Sequence, residues 1–595
     1  MNNYRIRLTQ LRALMKANNL DFYIIVNTDP HLGEYIPAHW KSVQWLTGFT
    51  GSSAFVVVAK KFAGLWTDSR YFIQAEQQLV DTGFSLMKLN VPSEPSWIDW
   101  ISEKIRKNSR VGVDGRMLSV HNLEKLKNAI DEKVEIDLNS DLISKIWTGR
   151  PLLPESIAFD HGVIFSGKER KEKISEVRSL MEKMNIDFHL LTSLDDIMWL
   201  LNIRGNDIEF SPLLLSYAIV GKEQVLLFTD EKKIPLKLAM EFDRQGVTIL
   251  PYADVPAILS RLKKGCNLMI STETTNSILF SSIPSDINVI RDLSIPGRLK
   301  SVKNEIEIAN LKNVMIKDGA ALVRFFIWLE KTLSDHIVTE NSASEKLLEF
   351  RLQQANCTGA SFQSIVAFRE NGAIVHYNPA NGNNTPLDKN GFLLIDSGGQ
   401  YLDGTTDITR TIFIGSPGSA EKKDYTLVIK GLIGLAKAKF PEGTKGFQLD
   451  ALARHHIWNS GINYGHGTGH GVGFYLNVHE GPQNIGTSMS DGNKQILTPG
   501  MLLSDEPGIY RGGRYGIRLE NILLVENDST TEFGHFLRFE TLSLCHFEKN
   551  LINRGELESF EIAWINNYHS RIYNSLEPLL NEEEKFWLKT KTVEM

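Results

Sequence analysis

Several features that would settle the class of a protein are scarce in this sequence, beginning with cysteine. The 595 residues include only Cys266, Cys357 and Cys545, too few and too scattered for a disulfide framework or a thiolate metal site. The net charge is −6 and no basic run occurs, which argues against a nucleic-acid partner. No apolar stretch approaches a membrane span, and residues 1–5 lack the apolar core of a signal peptide. These absences predict a cytoplasmic protein without a nucleic-acid or membrane partner.

Acidic residues with one histidine form a candidate metal-binding set in the C-terminal half. Its members are Asp396, Asp407, His470, Glu506 and Glu520. Four hard oxygen donors and a single nitrogen suit two divalent cations of the manganese, cobalt or zinc kind better than one structural zinc. Two such ions a few ångströms apart are a device for hydrolysis. The set therefore predicts a hydrolase.

The two aspartates lie in a predicted hairpin. Residues 392–395 are a short apolar run that delivers Asp396 at its end, and residues 407–414 form a second, partly alternating strand. A turn at residues 401–404 would fold the second strand onto the first and bring Asp396 beside Asp407. Two buried carboxylates repel unless a cation or proton lies between them. Taken alone, the pair fits two ordinary turn aspartates equally well.

The histidine lies in a glycine-rich segment, residues 464–473, with the sequence Tyr-Gly-His-Gly-Thr-Gly-His-Gly-Val-Gly. Glycine disfavours helix and lets backbone approach a ligand closely. The segment is therefore neither a helical zinc motif nor a phosphate loop, which requires a following Gly-Lys-Ser/Thr. Two histidines in this run, His466 and His470, with His479 shortly after them, favour a functional site over ordinary surface positions.

The two glutamates have equally local signals. Glu506 directly precedes a Pro-Gly turn. Glu520 ends an alternating segment in which Arg518 shares its face, while Ile517 and Leu519 point the other way. Each glutamate alone would be predicted to be a solvated surface residue. Because the two glutamates follow the other three candidate ligands in order, we interpret them as metal ligands instead.

The complete pattern resembles the dinuclear "pita-bread" metallopeptidases, which include methionine aminopeptidase, prolidase and aminopeptidase P. The resemblance rests on the two aspartates eleven positions apart, Gly-His-Gly-Thr-Gly-His-Gly, Glu-Pro-Gly and Ile-Arg-Leu-Glu-Asn, in that order. His376 and His479 match the histidines that surround the metals in the proline-specific members. The length and the N-terminal layout resemble the long, three-domain form of aminopeptidase P, and the resemblance covers essentially the whole chain.

The resemblance implies a role for each ligand. Asp396 would chelate one metal, Asp407 and Glu520 would bridge the pair, and His470 with Glu506 would hold the other. The cofactor would be two divalent ions, most readily Mn²⁺, with Co²⁺ or Zn²⁺ as alternatives. Availability rather than ligand type decides among these ions.

The implied reaction is hydrolysis of the bond between an N-terminal residue and a following proline by hydroxide activated between the metals. Glu506 would pass the proton to the leaving nitrogen. His376 and His466 would donate hydrogen bonds near the oxyanion, and His479 would shape the proline pocket. Arg518 would orient a bridging carboxylate. Arg70, from the first domain, would reach into the site, although an ordinary surface salt bridge explains it as well.

The N-terminal half contains an internal duplication. Residues 11–16 and 20–22, Leu-Arg-Ala-Leu-Met-Lys and Leu-Asp-Phe, recur at 177–182 and 186–188 as Val-Arg-Ser-Leu-Met-Glu and Ile-Asp-Phe. Each copy predicts an amphipathic helix followed by an apolar strand, hence two similar α/β domains. Proline-rich residues 148–154 and the segment 295–298 mark the linkers.

The predicted architecture is α/β (α+β) with three domains. These are creatinase-like domain I at 1–150, creatinase-like domain II at 151–297 and a pita-bread catalytic domain at 298–595, the last ending in a helical extension from about residue 545. The resemblance also implies a homodimer formed largely through the catalytic domain.

Three alternatives to an Xaa-Pro aminopeptidase can be considered from the sequence. A prolidase shares the ligands but cleaves only dipeptides, and the duplicated N-terminal half argues against it. Creatinase-like enzymes use the fold without metals, and a non-catalytic peptide-binding module would have lost the ligands. The intact ligand set argues against both.

Overall fold

The computed structural model describes residues 3–381, 384–388, 390–488 and 492–595. The chain divides into two compact units. The N-terminal unit runs up to Gly162 and continues through Lys168–Gly297. The other unit comprises Val163–Gly167 and Arg298–Met595 and is called the catalytic unit after the role predicted for it from the sequence. The predicted domain boundaries at residues 150 and 297 stay predictions.

The first half of the N-terminal unit is a sheet of six strands in the order β4-β3-β2-β1-β5-β6. The strands are β1 Phe22–Val26, β2 Phe55–Ala59, β3 Ala63–Thr67, β4 Ser85–Lys88, β5 Arg110–Val113 and β6 Glu135–Asp137. Strand β2 is antiparallel to β1 and β3, whereas β5 is parallel to β1 and β6. The helices are α1 Asn3–Ala17, α2 Ser42–Thr47, α3 Phe72–Gln78, α4 Trp97–Lys104 and α5 Val120–Ala129.

The second half repeats this topology, with the order β12-β11-β10-β8-β13-β14 and a small β7-β9 pair. The strands are β7 Phe159–Asp160, β8 Phe188–Leu191, β9 Ile203–Arg204, β10 Tyr217–Gly221, β11 Val225–Phe228, β12 Val247–Leu250, β13 Asn267–Ile270 and β14 Asn288–Arg291. The helices α7 Arg170–Lys183, α8 Leu194–Leu201, α9 Leu236–Arg244, α10 Val255–Leu259 and α11 Ser277–Ser281 accompany them, after α6 Val163–Ser166 of the catalytic unit. The prediction of two similar α/β folds is confirmed.

The duplicated Asp-Phe dipeptide has the same structural role in both copies. The Asp21 carboxylate accepts a hydrogen bond from the Arg110 amide at 3.0 Å, and the Asp187 carboxylate accepts one from the Asn267 amide at 2.9 Å. In each copy the aspartate amide also donates to the carbonyl of that same partner residue. The aspartate thus extends the pairing between the central strand and its parallel neighbour by one position, which explains its recurrence.

The catalytic unit begins with long helices. After α12 Ile295–Ser301 come α13 Glu305–Asp335 and α14 Glu340–Leu352, followed by α15 Ser419–Ala436, α16 Gly446–Asn459, α17 Ser559–Leu576 and α18 Glu582–Thr592. Asn304 caps α13 by accepting hydrogen bonds from the amides of Ile306 and Glu307, and the Glu307 side chain accepts in return from the Asn304 amide. This capping box fixes where the first helix of the unit starts.

The strands of the catalytic unit form several small sheets: β15-β18-β19, β16-β17-β20, β21-β28-β27-β24, β22-β23 and β25-β26. Their bounds are β15 Cys357–Ala360, β16 Ile365–Phe368, β17 Gly391–Ser397, β18 Gly399–Tyr401, β19 Gly404–Thr405, β20 Ile408–Ile414, β21 Lys439–Pro441, β22 Gly469–His470, β23 Asn484–Ile485, β24 Leu502–Asp505, β25 Gly508–Arg511, β26 Tyr515–Arg518, β27 Asn521–Thr531 and β28 Gly534–Thr541.

The C-terminal segment is helical and packed. Apolar residues of α17 and α18, among them Ile565, Tyr568 and Leu588, join the core cluster formed with α15 and β26. Within the part of the chain that the structure describes, no helix is long and apolar enough to cross a membrane.

Candidate metal centre and active site

Asp396 and Asp407 come together as the hairpin prediction requires. Strands β17 and β20 pair antiparallel, with Asp396 opposite Thr409, and the β18-β19 turn connects them. Burial raises the pKa of Asp396, with the neighbouring Asp407 carboxylate adding to the effect and Arg518 opposing it. Among the described residues, Asp396 Oδ1 is buried without a hydrogen-bond partner.

His470 is presented by the short strand β22. Its amide donates to Ser504 Oγ at 2.9 Å, and Nδ1–H donates to the Gly471 carbonyl at 2.9 Å. Nε2 therefore faces the carboxylates, 3.4 Å from Asp407 and 3.6 Å from Glu506. Fixing the tautomer through Nδ1 is the usual way in which a protein prepares a histidine ligand.

The glycines around His470 are required by close contacts. A Cβ atom on Gly469 would lie 1.9 Å from the Ser504 carbonyl oxygen, and one on Gly471 would lie 2.0 Å from that of Glu480. Both distances are far below any tolerated contact, so only glycine allows the backbone to bring His470 this close to β24.

Glu520 completes a triad of ligand groups. One ligand atom each from Asp407, His470 and Glu520 all lie within 4.8 Å of one another. The Thr409 hydroxyl donates to Glu520 Oε2 at 2.9 Å and orients the carboxylate. Glu506 is held from the other side, where Ser504 Oγ donates to its Oε1 at 3.1 Å.

The charges and pKa shifts in this centre are those expected of a site that binds cations. Burial raises the pKa of Glu506 and of Glu520, and the neighbouring carboxylates raise both further. The pKa of His470 rises to about 9, because hydrogen bonding to Asp407 and the charge of Glu506 outweigh its burial. Four buried carboxylates repel one another unless divalent cations lie between them. The donor set and the unpartnered Asp396 oxygen therefore fit the predicted metals.

Arg518 connects the centre to its surroundings. Its Nη2 donates to Asp396 Oδ2 at 2.5 Å, and its Nη1 donates to Tyr510 Oη at 2.7 Å. The side chain is almost completely buried. Arg518 therefore binds Asp396, which by the family resemblance would chelate one metal. The sequence analysis had instead paired Arg518 with a bridging carboxylate.

Tyr510 is a site residue that the sequence analysis missed. Its hydroxyl contacts His466 Nε2 at 2.8 Å while accepting from Arg518, and burial raises the pKa of the phenol to about 12. His466 Nδ1–H donates to the Gly467 carbonyl at 2.7 Å. Alternation along β25 from the Glu-Pro-Gly turn places Tyr510 on the face of Gly508, a signal that could have revealed it.

The other outer histidines lie around the same centre. The His479 ring packs edge-on against His470, with centroids 4.4 Å apart and planes at 81°. His376 follows Val375, whose carbonyl accepts from Arg518 Nη2 at 3.4 Å. The segment before His376 lies against β26 because Gly372 meets Gly516 backbone to backbone. The substrate roles predicted for His376, His466 and His479 stay predictions.

A second missed group fixes the glycine-rich segment. Arg454 of α16 donates to the carbonyls of Tyr464 at 2.8 Å and His466 at 2.7 Å. Its partner Asp450 accepts from the Thr468 hydroxyl at 2.6 Å. This buried ion pair, one helical turn apart, ties both ends of the histidine loop to α16.

Arg70 lies in the N-terminal unit and pairs there with Asp68. Its Nε and Nη2 each donate to that carboxylate at 2.8 Å, and Glu34 lies 4.0 Å from Nη1. These contacts fit the salt-bridge alternative, and the reach of Arg70 into the active site stays a prediction.

Fold and ligand set together define a hydrolase centre built on carboxylates and a histidine, and the comparisons with known proteins give its family. The model described as "Metallopeptidase family M24" matches residues 309–527. Two models described as "Creatinase/Prolidase N-terminal domain" match residues 7–146 and 149–307, and the model "C-terminal region of peptidase_M24" matches residues 535–595.

The relatives match along nearly the whole chain. A probable Xaa-Pro aminopeptidase P from Talaromyces marneffei is 37% identical over 98% of this chain and 92% of the relative. Xaa-Pro aminopeptidase 1 from Dictyostelium discoideum is 38% identical over 98% of this chain and 96% of its own. The solved structure of X-prolyl aminopeptidase from Caenorhabditis elegans, described as a cytosolic enzyme with a di-nuclear active site, has a TM-score of 0.95 and 33% identity, covering 100% of both chains.

The chain belongs to metallopeptidase family M24, in the branch with two creatinase-like N-terminal domains. The family resemblance and the fold predicted from the sequence are both confirmed.

Proposed function

We propose that this protein is an Xaa-Pro aminopeptidase, a metal-dependent exopeptidase that removes the N-terminal residue of peptides with proline in second position. The observation that supports it most directly is the convergence of the predicted ligands, with His479 edge-on to His470 and His466 4.0 Å from Glu506. A peptide-binding module without activity would not need this ligand set. The relatives that match along nearly the whole chain are named for the same activity.

The cofactor in this proposal is a pair of divalent cations held by Asp396, Asp407, His470, Glu506 and Glu520. When bound, such ions lower the pKa of water towards neutrality and polarise a carbonyl group. Carboxylate oxygens with one imidazole suit Mn²⁺ well, with Co²⁺ and Zn²⁺ as alternatives. The description of the Caenorhabditis elegans relative as di-nuclear agrees with two ions.

The protein residues then manage protons and position. Glu506 has a raised pKa, which suits it to take a proton from water and pass it to the departing nitrogen. In an Xaa-Pro bond that nitrogen belongs to a tertiary amide without an N–H, so recognition must rely on the ring and the neighbouring carbonyl groups. His376 and His466 are the proposed donors to those carbonyls, and His479 is the proposed wall of the proline pocket.

Both nitrogens of His466 are engaged, with Gly467 and Tyr510. For His466 to donate to substrate, Nδ1–H must leave the Gly467 carbonyl, while Nε2 keeps its contact with the Tyr510 hydroxyl. Tyr510 is therefore the residue whose hydroxyl sets the state of His466. Arg518, which binds both Tyr510 and Asp396, connects this histidine to the metal side of the centre.

The cellular setting is proposed on less direct grounds. A cytoplasmic location agrees with the description of the Caenorhabditis elegans enzyme as cytosolic and with the low cysteine content. A homodimer formed largely through the catalytic domain follows from the family resemblance, and light scattering of the purified protein tests it.

The discriminating experiment compares four peptides with Mn²⁺ added: Xaa-Pro-Xaa, the same peptide with alanine in second position, its N-acetylated form and the Xaa-Pro dipeptide. We expect cleavage of the first after one residue, poor cleavage of the alanine peptide and none of the acetylated one. Equal kcat/KM for proline and alanine peptides would indicate a general aminopeptidase. Activity confined to the dipeptide would indicate a prolidase.

A further inference from the structure

Arg410 is a buried arginine directly behind the proposed metal ligands. It lies on β20, three residues after Asp407, and is 3% exposed. Its Nη1 donates to the backbone carbonyl of Glu520 at 2.6 Å and to that of Thr409 at 2.8 Å. The Glu520 amide in turn donates to the Thr409 carbonyl at 3.0 Å, so this guanidinium closes the pairing between the two ligand-bearing segments.

The other edges of the same guanidinium are bound from the C-terminal segment. Nε donates to the His546 carbonyl at 3.1 Å, and Nη2 donates to the Cys545 carbonyl at 2.8 Å. Nη2 also contacts Tyr568 Oη of α17 at 2.9 Å and Asn521 Oδ1 at 2.8 Å. One planar group therefore joins the segment that carries Glu520 to the backbone at Cys545 and to the Tyr568 hydroxyl of α17.

The hydrogen-bond acceptors that Arg410 contacts are all neutral: carbonyl oxygens, an amide oxygen and a phenol. Burying a cation without a carboxylate beside it is costly, and hydrogen bonds must offset that cost. Lysine could not replace Arg410, because Nε, Nη1 and Nη2 donate hydrogen bonds in three directions at once and only a planar guanidinium presents donors in all of them. An arrangement this demanding points to a requirement for exact placement of the backbone at Glu520.

We propose that Tyr568 and Arg410 are positioning residues through which the C-terminal helix α17 sets the geometry of the metal centre at Glu520. This inference rests on the proposed function insofar as Glu520 binds the cations. The Tyr568 hydroxyl accepts from Arg410 and lies 2.9 Å from the Ser543 carbonyl and 3.1 Å from Asn521 Oδ1, so it holds the arginine and the residue after Glu520 together.

The test uses the full chain, stripped with a chelator and titrated with Mn²⁺ against a competing fluorescent chelator. Tyr568→Phe keeps the ring, which stacks on Trp564 with centroids 5.2 Å apart, and removes only the hydroxyl. Groups that orient metal ligands from behind typically contribute 10–100-fold to metal affinity, so we expect Mn²⁺ affinity to fall roughly 10-fold or more. The control is Tyr573→Phe, on the same helix and partly buried against the same core, which should leave affinity unchanged.

Arg410→Lys provides a second variant, expected to act in the same direction and more strongly. For both variants kcat should recover towards wild type at high Mn²⁺, which a general loss of stability would not produce. Wild-type Mn²⁺ affinity in either folded variant, even with a lowered melting temperature, would overturn the inference. Failure of the wild-type protein to bind Mn²⁺ at all would instead count against the proposed function.

Discussion

At the scale of single residues, Asp505 and Glu506 are adjacent carboxyl groups with different surroundings. Glu506 faces His470 and Ser504 in the centre. Asp505 is fully buried on β24, and neither of its oxygens has a hydrogen-bond partner among the described residues. Burial, reinforced by the charge of Glu506, raises the pKa of Asp505 well above its ordinary value. Burial therefore favours the protonated, neutral form of Asp505 in the folded protein.

This difference predicts opposite results for two conservative substitutions. Asp505→Asn places a neutral group where burial already disfavours a charge, and it should leave kcat/KM within about twofold. Glu506→Gln removes the proposed proton carrier and should lower kcat by roughly 10²–10⁴-fold. Because the folded pKa of Asp505 is raised, the wild type loses stability as pH rises above the unfolded value near 3.8, and Asp505→Asn should raise the melting temperature at pH 7. Loss of activity in Asp505→Asn with normal folding would contradict this account.

At the scale of secondary-structure elements, the duplicated aspartates offer a matched pair of sites. Hydrogen bonding from the Asn267 amide, with Lys222 close by, lowers the pKa of Asp187. Asp21 makes the same contact with Arg110. Each aspartate closes the end of a pair of parallel strands, so the two positions should respond alike.

Asp187→Ala should lower the free energy of unfolding by about 1–3 kcal/mol, the usual contribution of a hydrogen bond to a charged acceptor. Asp187→Asn should recover part of it. The folded pKa is depressed, so the contribution is present above the ordinary value of 3.8 and is lost as pH falls through the lower folded value. Chemical unfolding at pH 7 measures the change, and a neutral Asp187→Ala would remove the structural reason given for the duplication.

The secondary-structure elements also show which parts of the site could be predicted from the sequence. The proposed ligands could be predicted because of local signals: an apolar run before Asp396, glycines around His470, Pro-Gly after Glu506. Arg410 has no such signal, since most of its partners lie on segments that only the fold brings near. Arg454 does lie one helical turn from Asp450, a spacing that the sequence analysis did not use. Apart from the adjacent Thr409, the partners of Arg410 are 110 to 158 positions away in sequence. Strand alternation could have predicted that Tyr510 faces the site. Its role depends on contacts with Arg518 and His466, and the pattern of a single strand does not reveal those contacts.

The two N-terminal sheets were predicted for a related reason. A helix-strand signal repeated in the same order suffices to predict a duplicated topology, but the interactions that join the halves are not visible in either copy. His31, from the first half, donates from Nδ1 to the Thr192 carbonyl at 3.0 Å and accepts from Tyr252 Oη at 2.8 Å. Its ring also packs on Tyr217, with centroids 4.3 Å apart.

At the scale of the whole molecule, His31 predicts an acid-sensitive N-terminal unit. Burial lowers the pKa of His31 to about 3, so the folded protein keeps it neutral while the unfolded chain protonates near 6.5. The stability it contributes is present above pH 6.5 and is lost as pH falls from there towards 3, by roughly 3 kcal/mol at pH 4. His31→Gln should flatten the pH dependence of the melting temperature in this window. His336→Gln, at an exposed position, is the control, and an unchanged acid limb in His31→Gln would exclude this cause.

The metal centre should act on stability in a different pH range. Without cations, the folded pKa of His470 is about 9, above its unfolded value near 6.5, so its contribution is present below pH 6.5 and is lost as pH rises through 9. Asp396, Glu506 and Glu520 also have raised pKa values, and their repulsion likewise grows as pH rises. Bound cations replace the proton on His470 and neutralise the carboxylates.

The stabilisation by Mn²⁺ should therefore increase with pH, by an amount on the order of 3 kcal/mol between pH 6.5 and 9 from His470 alone. Melting temperatures of the chelator-stripped and Mn²⁺-loaded protein, measured across this range, give the difference directly. His470→Gln should show a smaller dependence because it has no proton to exchange. A difference that is constant with pH would mean that the cations bind without displacing protons, and hence that His470 is not a ligand.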